Sequence, residues 1–357
     1  MPAIHWMKRN ANVLFFIGGF IFDTLTMVRI DSTLDLLWQL GYMVVITVLM
    51  IAQIRLAQGR WAPTGRIAKY WTYETEALHF CYGGLLSGFI IFYFKSTSFS
   101  RSLVFLTLTA VLMIGNEMPQ VRKWGTHLRL GLYAFCVVSY LNYLLPVLIG
   151  RMGWPVFLLG WTLACALTFL VMKALARTAE NPPAAFKRFS ASPAVVLALI
   201  LALYSLKLIP PVPLSLRHLG IYRSVEKEGN RYRLVSRRTP WTRFWETDNL
   251  FFPARPGDEI YSFVSVFGPR RFTHNIYIRW SVWNPDRKEW LTSDRFPIAL
   301  TGGRSEGFRG SMKKQNYTPG RWRVEVETED ERVLGSRTFH VEEDLSTGER
   351  KMKEEWF

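Results

Sequence analysis

The stretch PAVVLALILALYSLKLIPPVPLSL, residues 193–216, decides how the whole chain is read. Residues 193–210 are mostly apolar, and a helix needs roughly 20 such residues to cross the hydrocarbon core of a bilayer. Pro210, Pro211 and Pro213 then end it, because proline has no N–H to give to a helix and clashes with the turn before it. From about residue 219 the hydrophobic period becomes two, the spacing of a strand with one buried face. One class of structure stops here and another starts.

Working back towards the N-terminus, further apolar runs lie near 12–30, 34–54, 77–95, 102–116, 129–149 and 153–174. Together they predict an α-helical transmembrane bundle of about seven spans over residues 1–212. Residues 1–212 hold 18 of the 44 Lys+Arg and only 7 of the 28 Asp+Glu. A net charge of +16 would suit a nucleic-acid partner, but much of the excess lies in short loops between apolar runs, so no nucleic acid is expected. The first apolar stretch lacks a small-residue cleavage site and reads as a signal anchor.

The loops give a direction. On one side lie Lys8, Arg9, Arg55, Arg60, Arg66, Lys69, Arg122, Lys123, Arg129, Lys173, Arg177, Lys187 and Arg188; on the other only Arg29, Lys95, Arg101 and Arg151. The positive-inside rule puts the basic side, with the N-terminus, in the cytoplasm. Seven spans then end outside, which is the periplasm if the membrane is a bacterial inner membrane. Cys81, Cys136 and Cys165 all lie in apolar runs. The C-terminal region therefore has no disulfide, and no Cys/His spacing suggests a metal or cofactor.

Ionisable groups in or near spans are costly and invite a functional reading. Asp23 sits well inside the first run and needs a partner, a polar cavity or a proton. Glu74, Glu76 and His79 enter the third run, and Asn116 and Glu117 leave the fourth. Glu76 and His79 are three apart and share a helix face. Such a cluster could relay a proton or bind a cation; the plainer reading is an interfacial group that pairs and caps helix ends. Gly83, Gly84 and Ser87 allow close helix packing. No internal repeat is evident, which weakens a secondary-transporter reading.

In residues 275–283, Asn-Ile-Tyr-Ile-Arg-Trp-Ser-Val-Trp, the side chains of Ile276, Ile278, Trp280 and Val282 fall on one face and Tyr277, Arg279, Ser281 and Trp283 on the other. Residues 321–328 repeat the pattern, with Trp322, Val324 and Val326 inward and Arg323, Glu325 and Glu327 outward. Further strands are expected near 219–224, 230–236, 259–267, 305–312 and 333–341, separated by Gly and Pro turns. Residues 213–341 thus predict an all-β sandwich-like domain, and 342–357 a charged, helix-permissive, mobile C-terminal tail. Tyr277, Arg279 and Trp283, joined by Arg304 and Arg309, form a candidate ligand face: aromatic rings stack on sugars and Arg pairs with carboxylate or phosphate. The plainer reading, and the stronger one for any single residue, is that Tyr277 and Trp283 pack on the membrane half or pair across strands. Thr301-Gly302-Gly303-Arg304 lacks the spacing of a phosphate loop, and the lone His274 and His340 have no nucleophile motif beside them, so no enzyme is expected.

Glu76-Ala77-Leu78-His79-Phe80, Gly83 through Ser87, Phe92-Tyr93-Phe94-Lys95-Ser96 and Asn116-Glu117 resemble an uncharacterised bacterial family of polytopic inner-membrane proteins. Gly307-Phe308-Arg309-Gly310, Gly320-Arg321-Trp322-Arg323-Val324 and Phe339-His340-Val341 resemble the small C-terminal β domain of unknown function which that family carries. The resemblance implies the architecture and no activity. The resulting expectation is a non-enzymatic, membrane-anchored periplasmic binding or interaction module of the cell envelope. Its partners would be the lipid bilayer and an envelope glycan or a membrane or periplasmic protein. The alternative is a transporter, channel-like protein or sensor using Asp23, Glu76, His79, Asn116 and Glu117.

Overall fold

The computed structural model describes the chain apart from residues 1–19, 28–29, 97–102, 119–124, 178, 238–249, 271, 302–306 and 347. The chain divides into two compact units, with the main boundary between Pro213 and Leu214, at the proline-rich exit.

The first unit is helical. Residues 20–26 are helical, and α1 (Thr33–Ala57) follows, capped by the Ser32 hydroxyl, which accepts from the Asp35 N–H at 3.4 Å. Next come α2 (Gly65–Tyr70), a 3₁₀ turn, α3 (Glu74–Lys95), α4 (Leu103–Glu117), α5 (Gly125–Ile149), α6 (Trp154–Ala176) and α7 (Pro182–Ser205). Among the described residues, α1, the continuous run Gly65–Lys95, α5, α6 and α7 are the five helices long and apolar enough to cross a membrane. They coincide with five of the expected spans. The expected span at 102–116 forms the shorter α4, and most of the one at 12–30 lies outside the described residues.

α5 is the central helix. Its residues Leu130–Tyr140 are buried without a break, as a helix surrounded by others must be. α7, α6, α3 and α1 pack on it. α1 turns Leu36, Gln39, Met43, Ile46 and Met50 inward while Leu37, Val44 and Val48 remain exposed, so the helix is apolar on its outer face too. The core is aromatic: Phe89 and Phe92 meet the Tyr143 ring edge-to-face at 6.0 and 5.7 Å.

The second unit is β. Its strands are β1 (Ser215–Tyr222), β2 (Ser224–Glu228), β3 (Arg231–Arg237), β4 (Phe251–Ala254), β5 (Ile260–Phe267), β6 (Thr273–Asn284), β7 (Glu289–Thr301), β8 (Phe308–Lys314), β9 (Gly320–Thr328), β10 (Val333–Glu343) and β11 (Met352–Trp356). They form three sheets, ordered β1-β5-β8, β4-β10-β9-β6-β7 and β11-β3-β2. All pairs are antiparallel except β4 with β10. Ile276, Ile278, Trp280, Val324 and Val326 are fully buried, as the alternation of β6 and β9 requires. β7 closes one edge of its sheet and contains Pro297. Proline is tolerated there because outward-pointing N–H groups of an edge strand have no ladder partner to lose.

The expected mobile tail at 342–357 is corrected. Glu342 and Glu343 belong to β10, and Met352–Trp356 form β11 on β3. Phe357 closes an aromatic cluster with Phe263 at 5.1 Å and His218 at 5.2 Å. The acidic side chains that made this stretch look loose find basic partners: Arg233 of β3 pairs with Glu354 at 3.5 Å. A clasp holds the connection from β10 to β11. Asp258 accepts from Arg223 (3.0 Å), Arg350 (2.7 Å) and the Arg255 N–H (2.9 Å), and Asp344 accepts from Arg255 and Arg350, both at 3.0 Å. Burial pushes the Asp258 carboxyl up, but these hydrogen bonds outweigh it and hold it below the usual range. The Ser346 hydroxyl, its N–H and Arg350 hold Asp344 lower still.

Candidate functional site

Two groups of residues singled out above can be followed in the structure. The first is the outward face of β7-β6-β9. Register places Trp283 opposite Trp290, Arg279 between Arg295 and Glu325, and Tyr277 between Pro297 and Glu327. Arg279 and Arg295 face each other across two strands, and like charges so placed repel. Glu327 resolves this by bridging them, at 2.9 Å to Arg279 and 2.8 Å to Arg295. Glu325 takes Arg279 at 2.8 Å and Arg323 at 3.2 Å. Although both carboxylates lie on the outward face, Glu327 is 0% and Glu325 3% exposed, covered by the side chains they neutralise.

The aromatic rings of this face carry cations. The Arg295 guanidinium lies 3.8 Å from the Tyr277 ring centre, and Arg323 and Arg321 lie 4.4 and 5.5 Å from that of Trp290. Trp283 meets Trp290 edge-on at 5.4 Å. The result is a rigid face of half-buried Trp and Tyr interleaved with Arg. Cation–π contacts and ion pairs fix the rotamers in advance, so little entropy remains to be lost on contact.

The structure brings Tyr277, Arg279 and Trp283 onto one face but does not bring Arg309 to it. Arg309 belongs to β8 in another sheet, is buried, donates to the Phe357 carbonyl at 3.2 Å and lies 5.6 Å from the Tyr232 ring centre. Its place is set by the aromatic cluster at β11. Arg304 lies outside the described residues. The sequence reading missed Trp290 and Arg295, because Pro297 masked the alternation of β7. It also left Glu325 and Glu327 as plain solvent-facing residues. Their pairing with Arg279 depends on a register that one strand cannot reveal.

The second group lies in the helical unit. His79 and Asn116 are both buried and form a reciprocal lock between α3 and α4. The Asn116 Nδ2 donates to the His79 carbonyl at 2.9 Å, which turns its Oδ1 to the His79 Nδ1 at 2.8 Å. Nδ1 therefore carries a proton. Glu76, expected to share this face, is exposed instead; the Glu117 side chain lies outside the described residues. The carboxylate that is engaged is Glu74. The Gln53 amide stands between charges, accepting from Arg129 at 2.7 Å and donating to Glu74 at 3.4 Å. This ties α1, α3 and α5 together at the end bearing the basic loops.

At the other end, Asp23 is half-buried beside Ser87, with Asp35 nearby. Gly88 lets α1 approach so closely that a Cβ there would lie 2.8 Å from the Gln39 Nε2. Among the described residues, the buried polar atoms of Gln39, Ser139 and Tyr143 have no hydrogen-bond partner. Neutral hydroxyls and amides of this kind can hold internal water or a small polar ligand. Among the described residues, no group of three or more His, Cys, Asp or Glu could hold a metal ion.

The family described as a protein of unknown function, DUF2914, matches residues 273–341, which span β6 to β9 and most of β10. The expected resemblance to a β domain of unknown function is met over these residues, and they carry Tyr277, Arg279 and Trp283. No curated protein matches the chain. Among solved structures, an immunoglobulin-like protein from Pseudomonas aeruginosa is 15% identical, with 35% of this chain and 96% of that one covered at a TM-score of 0.21. A β-glucosidase from Listeria innocua is 12% identical over 33% of this chain and 17% of its own, at a TM-score of 0.19. The alkylpurine DNA glycosylase AlkC of Pseudomonas fluorescens is 10% identical over 88% of this chain and 99% of its own, at a TM-score of 0.24. TM-scores this low carry no argument about shared fold or function. What is established is similarity to a β family of unknown function beside a set of helices apolar enough to cross a membrane.

Proposed function

We propose that the chain is a non-enzymatic envelope protein of a bacterial inner membrane, whose seven-span helical unit anchors a sandwich-like β unit in the periplasm as a binding module. The excess of Lys and Arg in alternate loops supports this orientation. One observation carries the functional reading: the Trp283, Trp290, Arg321 and Arg323 corner of the five-stranded sheet, preorganised by cation–π contacts. Trp, Tyr and Arg are the residues on which binding energy concentrates at protein interfaces. Arg295 already covers Tyr277 and two arginines lie against Trp290, which leaves less open ring for stacking on a sugar. The face thus favours a membrane or periplasmic protein over an envelope glycan.

The test uses full-length protein. A photo-crosslinking residue is placed at 283 or 290 and irradiated in intact cells; peptidoglycan and lipopolysaccharide are tested in parallel with protein in nanodiscs. The expected result is a discrete protein adduct at both positions, lost with Arg323→Glu while the melting temperature is retained. Adducts no stronger than those from a position on the 284–289 turn would refute the reading. Retention on glycan with no protein adduct would move the ligand to the glycan class. A second reading, a transporter or sensor, draws its support from the buried polar atoms of Gln39, Ser139 and Tyr143, which have no hydrogen-bond partner among the described residues.

A further inference from the structure

A groove of about 550 Å³ runs between α4, α5 and α7 in the helical unit. Leu112 of α4, Gly131 and Phe135 of α5, and Val195 and Val196 of α7 make its walls apolar. At Gly131 α5 and α7 lie close: a Cβ there would stand 3.6 Å from Ser192 Cβ and 3.7 Å from Val196 Cγ2, which makes this the floor of the groove. Val195 lines the groove and is 68% exposed. With α5 and α7 apolar and long enough to cross a membrane and α4 apolar but shorter, such a groove would face acyl chains. Leaving it empty would forfeit the dispersion contacts of every wall atom.

One end of the groove is polar. His127, in the first turn of α5, lines it, and the Ser192 hydroxyl ties α7 to the His127 carbonyl at 2.6 Å. Arg188 of α7 donates through Nε to the His127 Nε2 at 3.3 Å. His127 thus accepts and steers the guanidinium. Among the described residues only the Nε of Arg188 is engaged, so both Nη groups can meet an oxyanion in the planar, forked geometry that suits phosphate. Lys187 precedes it in the first turns of α7, at the end of the spans that carries the basic charge.

We infer that this groove is a binding site for one anionic phospholipid, with an acyl chain along Leu112, Phe135 and Val195 and the phosphate on Arg188. The apolar walls select a lipid, and the fixed cation at one end selects its headgroup.

Native mass spectrometry of the full-length protein tests this, with phosphatidylglycerol and phosphatidylcholine of identical acyl chains as probes. Phosphatidylglycerol is expected to be retained about fivefold better, as one arginine near a membrane surface contributes about 1 kcal/mol. Arg188→Glu should abolish that preference and leave total lipid retention similar. Val195→Trp plugs the groove from an exposed position, and should lower retention of both lipids. Arg188→Gln, which keeps the size and removes the charge, serves if the charge reversal lowers the melting temperature. Equal retention of the two lipids by the wild type would overturn the headgroup assignment. An undiminished preference in Arg188→Gln together with undiminished retention in Val195→Trp would overturn the site.

Discussion

The helical unit and the β unit both bury polar side chains, and they do it by opposite means. In the helical unit the buried polar groups are mostly neutral and act in pairs with backbone or with one another: His79 with Asn116, the Tyr82 hydroxyl with the Arg129 carbonyl at 2.8 Å, and the Tyr140 hydroxyl with the Leu36 carbonyl at 2.9 Å. In the β unit buried Ser and Thr are joined by buried charges, and the charges form networks: three arginines meet Glu325 and Glu327, and three more meet the partly buried Asp258 and Asp344. A medium without water penalises a charge far more than a neutral amide. At an aqueous surface an ion network pays only part of that cost. The contrast fits the proposed placement of the first unit in a membrane and the second in water.

The largest expected effect follows from removing a carboxylate that separates two cations. Glu327→Ala should destabilise the β unit by about 3 kcal/mol, because it leaves Arg279 and Arg295 facing one another. Denaturant unfolding of the full-length protein, read by tryptophan fluorescence, checks this, and adding Arg279→Ala should recover part of the loss. A change within the ~0.5 kcal/mol of ordinary surface pairs would break the comparison.

Asn116→Ala removes two neutral hydrogen bonds between α3 and α4 and should cost about 1–2 kcal/mol. Unlike the first effect, it should be independent of salt, as thermal melts at low and high ionic strength will show.

Both Asp258 and Asp344 are held below the usual carboxylate pKa when folded. Their contribution to stability is then fully present above the unfolded-state value near 3.8 and is lost as pH falls through the depressed folded-state values. Asp258→Asn should flatten the acid limb of the stability–pH curve by about 1 kcal/mol. An unchanged acid limb would mean that the clasp contributes nothing.

The smallest effect is expected at Gln39. Its buried amide has no hydrogen-bond partner among the described residues and so gains nothing there from its polarity, and Gln39→Leu should be neutral or slightly stabilising, within about 1 kcal/mol. A larger loss in the same melts would show that the amide binds something in the folded protein, and would strengthen the transporter or sensor reading.

Much of this architecture could be read in the chain. Apolar length located α1, α3, α5, α6 and α7, and period two located β6 and β9 with their inward Trp280 and Trp322. His79 and Asn116 could be paired in advance because sequential antiparallel helices bring the start of one beside the end of the next. What escaped depends on information outside any one segment. β11 is charged and looks helix-permissive, and becomes a strand because β3 offers an edge with Arg233 in register and an aromatic pocket for Phe357. Glu325 and Glu327 look like solvated charges until the neighbouring strands arrive with Arg279 and Arg295. Arg309 was grouped with the outward face on composition, yet its strand belongs to another sheet.

Pro297 bears on the behaviour of whole populations of molecules. The last strand of a sheet offers a row of backbone donors and acceptors to any passing chain, and a long edge of this kind is a template for aggregation. β7 is 13 residues long and would be such a template. A proline along it takes one donor out of the row and stiffens the backbone beside it. Arg287, Lys288 and Arg295 add positive charge at its start and middle. Copies of this protein at high local concentration are thereby discouraged from fusing their sheets edge to edge.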